Sequence, residues 1–229
     1  MLFGTQSGEE FLFLYGFFPL LHNPHDTTLV RFDLSTHGGS GSTGRLLEMR
    51  ERVLEVLGET QVAIPGNRSW VKKSASGSVA LQLPCSLGPP DEPTTQLAVS
   101  LDVMRALVLS DADCFDGMGP ARLGAWIDNG GGKYSAEVDH RALSLMKQLA
   151  ATEIQLMQPP DAIAMAAEAL HAVESSLLPV DNDELVQVAH LSQALRYVER
   201  RRQLLGDMIC WCDEAMVGLR RAGVWWWKS

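Results

Sequence analysis

From about Ser135 onward the sequence leaves little room for anything but helix. Asp139 to Met157 reads as one helix, stopped by Pro159-Pro160, since a proline cannot donate a helical hydrogen bond and crowds the preceding turn. Asp161 to Leu178 reads as a second, rich in alanine at 162, 164, 166, 167 and 169. Pro160 suits the first turn of that helix, where its missing N–H is not needed. Pro179-Val180-Asp181 makes a turn, and Asp181 with Glu184 has capping-box spacing. The last helix runs from Asn182 to about Leu219. Leu185, Val188, Ala189, Ser192, Leu195 and Val198 give it a mostly apolar stripe, with Glu199 to Arg202 as a solvated face. A second half of this kind predicts a mainly α protein, a bundle or set of helix hairpins.

The first half is more broken. Thr27 to Leu34 (TTLVRFDL) alternates as a strand does, and Val79 to Leu83 is a second strand. Ser35 to Gly44, rich in Gly, Ser and Thr, reads as a flexible linker and a domain boundary. Arg45 to Leu57 has the broad apolar face of a helix and ends at Gly58. Lys72-Lys73 reads as a solvated turn. Thr94 or Thr95 can cap a helix reaching Leu109, with Leu97, Leu101, Met104, Leu107 and Val108 on its apolar side. Asp111 to Gly132 reads as loop-rich, with Trp126 anchoring a short helix. Gly130-Gly131-Gly132 lacks the Lys-Ser/Thr and preceding strand of a phosphate cradle, so it reads as a flexible loop.

The chain has 229 residues, a net charge of −9 and a pI near 5.1. That length suits one large domain or two small ones. The acidic balance argues against general nucleic-acid binding, which needs a basic face. Cys85, Cys114, Cys210 and Cys212 are too few and too scattered for a disulfide framework, so free thiols and an intracellular, reducing compartment are expected. Cys210 and Cys212 fall within a helix, where i and i+2 face different ways, so they do not make a zinc pair. His22, His25 and His37 have no acidic or cysteine partners at ligand spacing and read as loop residues; no metal site is expected.

The longest uncharged apolar run is Phe11 to Leu21. It is not a secretory signal: Glu9 and Glu10 precede it, and the first Lys or Arg is Arg31. It is also far short of the ~20 residues of a membrane span. Phe11 to Tyr15 is rich in β-prone and aromatic residues, which predicts a buried strand broken at Gly16. The surrounding pattern is more specific. Ser7, Glu10, Tyr15-Gly16-Phe17, Asn23-Pro24 and Asp26 resemble the end of the SET domain in protein methyltransferases, closest to the rubisco large-subunit methyltransferase group. Gly8 and Phe11 depart from that pattern, which has Asn and Leu there. Leu101 to Ser110, Asp181 to Leu185 and Ala194 to Arg200 also look like parts of the helical substrate-binding domain of that group.

The resemblance implies four segments: a SET remnant at 1–34, a linker at 35–44, a helical substrate-binding-like domain at 45–222 and a Trp-rich tail at 223–229. It implies S-adenosylmethionine as cofactor, a protein substrate methylated on lysine, Tyr15 as the catalytic tyrosine and Phe17 lining the substrate channel. The family's Gly-x-Gly and Asn-His cofactor segments do not occur here ahead of Tyr15, so cofactor-binding residues stay unassigned. The expectation is then the C-terminal portion of a methyltransferase, inactive alone. The alternative is a non-catalytic helical protein-interaction module, with no nucleic acid and no membrane span in either case. An unrelated helical scaffold, with the Tyr-Gly-Phe match accidental, is the third reading. Val224-Trp225-Trp226-Trp227 reads as a docked or a disordered terminus.

Overall fold

The computed structural model describes residues 27–33, 71–73, 78–84, 86–157 (apart from 116, 118, 130 and 133) and 182–222, with isolated positions at 12, between 44 and 55, and between 164 and 175. The described protein is mainly helical. Three short strands, β1 (Thr27–Asp33), β2 (Val71–Lys73) and β3 (Ser78–Pro84), form an antiparallel sheet in the order β1-β3-β2. Five helices follow: α1 (Thr95–Val108), α2 (Asp111–Phe115), α3 (Gly119–Asp128), α4 (Ala136–Leu156) and α5 (Asn182–Ala222).

Helix α1 is the most thoroughly buried of the described helices. Thr94 caps it, accepting from the Leu97 N–H and donating to the Ser86 carbonyl at 2.8 Å. One apolar stripe was expected, but nearly every residue from Leu97 to Leu107 is buried, including Ser100, Asp102 and Arg105. The reason is that α1 is covered on several sides: it packs against α4 and against β3. Leu101, Met104 and Leu107 share one continuous core with Leu143 and Met146 of α4, Leu205 and Met208 of α5, and Val30 and Leu83 of the sheet.

Helices α4 and α5 run antiparallel. Lys147 meets Asp213 at 2.6 Å and Ser144 meets Met216, so partners rise along one helix as they fall along the other. Ser135 caps α4 by accepting from the Val138 N–H, so the helix starts ahead of the expected Asp139. Trp211 of α5 donates its indole N–H to the Gly88 carbonyl at 2.9 Å, pinning the turn before α1. Gly88 has φ +69, and a Cβ there would meet the Glu92 carbonyl at 2.6 Å, so the turn requires glycine. Trp211→Phe keeps a ring in the core but removes that hydrogen bond; equilibrium urea unfolding is expected to show a loss of about 1 kcal/mol.

β1 puts Thr28 and Val30 on the buried face, two residues apart as a strand requires. It pairs with β3 in the register Thr28↔Leu83 and Val30↔Leu81, and packs on α4 and α5. The residues on either side of the 35–44 segment therefore share one core. Lys72 and Lys73, expected in a turn, lie in β2 opposite Ala80 and Val79. Asp111 to Gly132 is not simply loop, since α2 and α3 occupy most of it. Leu46, Glu48 to Arg50, Arg52 and Glu55 are helical, as the pattern over 45–57 predicts, and so is Gly44, which was expected to end the linker. Leu12, the described residue of the apolar run, has helical backbone rather than the expected strand.

Candidate functional site

The most unusual arrangement among the described residues is a charge cluster inside the core. Arg105 of α1 is 1% exposed, Asp102 7% and Asp139 1%. Asp102 and Arg105 stand one helical turn apart and pair through Arg105 NH1 and Asp102 Oδ1 at 2.6 Å. Arg105 Nε reaches across to Asp139 Oδ1 at the start of α4. Gly132 donates its backbone N–H to Asp102 Oδ1 at 2.9 Å. One guanidinium thus joins α1, α4 and the turn between α3 and α4.

That turn is fastened a second time. Trp126 of α3 donates its indole N–H to the Gly132 carbonyl at 2.9 Å and meets the Tyr134 ring edge-on, at 5.7 Å and 84°. The Tyr134 hydroxyl donates to the Asp113 carbonyl at 2.6 Å. Gly131 has φ +105 and lies so close to the Asp102 carboxylate that a Cβ would collide with it. Gly130-Gly131-Gly132 was expected to be a flexible loop; around Gly131 and Gly132 it is instead a fitted surface for Asp102.

Burial raises the Asp102 carboxyl most. The Arg105 charge and the Gly132 N–H oppose that and Asp139 adds to it, leaving the group pushed up to about 6. Burial also raises Asp139, against the opposing Arg105 charge. The Tyr134 and Ser135 amides help hold the Asp139 charge, yet Oδ2 makes no well-formed hydrogen bond.

A second cluster lies around α2. Asp113 Oδ2 accepts from the Ser110 amide at 2.8 Å, the Ser110 hydroxyl at 2.6 Å and Arg141 of α4 at 2.6 Å. Burial would raise this carboxyl, but those bonds outweigh it and hold it below the usual value. Buried Arg50 donates to the Leu109 carbonyl at 2.5 Å, a cation on the C-terminus of α1. Burial pushes the Cys114 and Cys212 thiols up to about 12, so neither is a thiolate nucleophile near neutral pH. Cys210 is exposed and Cys212 buried, on different faces of α5 as their spacing predicts. Among the described residues, no group of three His, Cys, Asp or Glu could hold a metal ion.

The expected run Glu199 to Arg202 also divides. Arg201 turns inward, donating to Thr28 of β1 at 3.2 Å and to Glu153 of α4 at 2.9 Å. This joins the sheet to both long helices. The sequence signal for it was weak: an arginine in a polar run looks solvated until its partners are known.

Tyr15 and Phe17 lie outside the described residues. So do most of 161–178, the Asp181 cap and the Trp225–Trp227 tail. The Arg105 cluster is too thoroughly closed to admit a substrate or a cofactor, so its chemistry is positional. No protein-family model matches this chain, and no curated protein matches it. No described helix is long and apolar enough to cross a membrane.

Proposed function

We propose that this chain is the C-terminal portion of an S-adenosylmethionine-dependent protein-lysine N-methyltransferase. It supplies the catalytic tyrosine, Tyr15, and a helical body that holds the protein substrate. The observation that carries the reading is continuity. The pattern from Ser7 to Asp26 runs directly into β1, whose buried Thr28 is bonded by Arg201 of α5. A strand that leaves the motif is thereby tied into the helical body. A SET tail followed by a substrate-holding helical domain needs this physical attachment.

The cofactor supplies an electrophilic methyl group, which goes to an uncharged lysine nitrogen. The Tyr15 hydroxyl orients that nitrogen by hydrogen bonding. Phe17 lines the apolar passage that strips water from the lysine stem. The cofactor-contacting segments that the family carries ahead of its tyrosine are not among these residues, so turnover requires a polypeptide that provides them.

Calorimetric titration with S-adenosylmethionine tests this, on the chain alone and on a polypeptide that also contains those segments. Binding only by the longer form is expected. In that form Tyr15→Phe is expected to lower kcat by about 10²–10³-fold, the size seen when one aligned hydrogen-bonding group is lost. Binding by neither form would favour a non-catalytic interaction module. Binding by the chain alone would overturn the statement that it is inactive by itself.

A further inference from the structure

Arg105 faces two carboxylates, Asp102 on its own helix and Asp139 on α4, and all three side chains are buried. With both acids ionised, this trio carries one more negative than positive charge. An excess charge in an interior with little water is costly, and uptake of a proton removes it. The geometry leaves room for that proton. Asp102 Oδ1 alone accepts from both Arg105 and Gly132, so protonating Oδ2 keeps both bonds and leaves Arg105 neutralised by Asp139.

We propose that Asp102, Arg105 and Asp139 form a proton-linked clasp that sets how firmly Gly131 and Gly132, in the turn between α3 and α4, are held against α1. The groups that face it are Arg105 from α1, Asp139 from α4 and the Gly132 amide from the turn itself. Both carboxyls act as one coupled pair, and the proton belongs to the pair. The clasp is tightest with the proton on and looser once both acids are ionised. It stands independently of the methyltransferase reading.

The sign follows from the linkage. The folded clasp holds its proton to higher pH than the unfolded chain, whose aspartates titrate near 3.9. Its contribution is complete below that range, falls as pH rises through about 6, and is level above. This is opposite to the usual salt-bridged aspartate, which strengthens a fold as pH rises.

Carbon-13 NMR of the aspartate side-chain carboxyls between pH 3.5 and 8 tests the proposal on the intact chain. Asp102 is expected to show a midpoint near 6, with an inflection in the Asp139 signal at the same pH. Ordinary midpoints near 4 for both would overturn it. Hydrogen-exchange protection of the Gly132 amide, corrected for intrinsic exchange, is the second readout. It is expected to fall about tenfold from pH 5 to pH 7.5 in the native protein, the equivalent of one pKa unit. Asp102→Asn keeps the acceptor without the charge and should hold protection constant over that range. An unchanged pH profile in the variant would also overturn the clasp. Should the variant not fold, the carboxyl titration of the native protein decides the matter.

Discussion

Arg105→Ala is expected to be the most damaging single change in the described fold, costing about 3–5 kcal/mol. The loss does not measure the strength of the ion pairs. A buried pair or trio contributes little over a well-packed apolar substitute; the damage comes from leaving Asp102 and Asp139 charged, buried and without their cation. Set against a typical total stability of about 5–15 kcal/mol, it brings the protein close to unfolding. The mechanism makes a further demand. Lowering the pH to about 5 protonates the stranded carboxyls, so the variant should recover much of its loss there, beyond the gain of about 1.4 kcal/mol that the tenfold tightening of the clasp gives the native protein. Denaturant unfolding at pH 7.5 and pH 5 checks both parts. A loss under about 1 kcal/mol would mean that water reaches the carboxylates and that the cluster is not sealed. Arg105→Lys is not a mild change either, since one ammonium cannot copy the fork that spans two carboxylates from Nε and NH1.

Gly131→Ala should produce the second largest effect, about 2–4 kcal/mol. Backbone strain at φ +105 accounts for about 1–3 kcal/mol of it. The remainder is contact: the new Cβ would fall 2.7 Å from Asp102 Cγ, closer still to Oδ2, and push the carboxylate off Arg105. Gly132 gives the matched control. It has a similar φ of +96, but nothing lies within 4 Å of an added Cβ. Gly132→Ala should therefore cost the strain alone, and thermal or urea unfolding of the two variants separates strain from collision. A double-mutant cycle adds a sharper test. With Asp102 already replaced by alanine, Gly131→Ala should cost distinctly less, because the group it strikes is gone. Equal costs in both backgrounds would show that the carboxylate is not what constrains the glycine.

Both results concern how α1, α4 and the turn between them are fixed to each other. This matters for the proposed function because α4 and α5 also hold β1, the strand that leaves the Ser7–Asp26 pattern, through Glu153, Arg201 and Thr28. A body that presents a protein substrate to a neighbouring site must keep its helices in fixed relation. The Arg105 and Arg201 ties provide this at the two ends of α4.

Much of the fold was legible because its signals are local. Thr94 before an apolar-periodic run gave the start of α1, and the strands at 27–34 and 79–83 followed from alternation. The long helix beginning at Asn182 was equally plain. The start of α4 was placed too late because Ser135 is an equally good cap, with two acidic residues in the first turn behind it. The short helix expected around Trp126 is α3, but its extent and helix α2 were obscured by the glycines at 117, 119, 130, 131 and 132; Gly119 lies inside α3, where burial of Leu123 and Trp126 overrides its low helix propensity. The proposed site is legible only in the motif residues, Tyr15 and Phe17 among them.

By itself the sequence determined the long helices α4 and α5, the two longer strands and the Thr94 cap, because hydrogen bonding and periodicity within a few residues settle those. It also carried the pattern on which the methyltransferase proposal rests. Only the tertiary structure decided which charges turn inward. Asp102, Arg105, Asp139 and Arg201 look like ordinary surface residues of amphipathic helices; even the Asp102–Arg105 pair, one turn apart, has the spacing of an exposed helix-face ion pair. Their partners lie 34 residues away for Arg105 and Asp139, and 173 for Arg201 and Thr28. The fate of a charge depends on whether a packed neighbour excludes water and offers a countercharge, and that is a property of the assembled core.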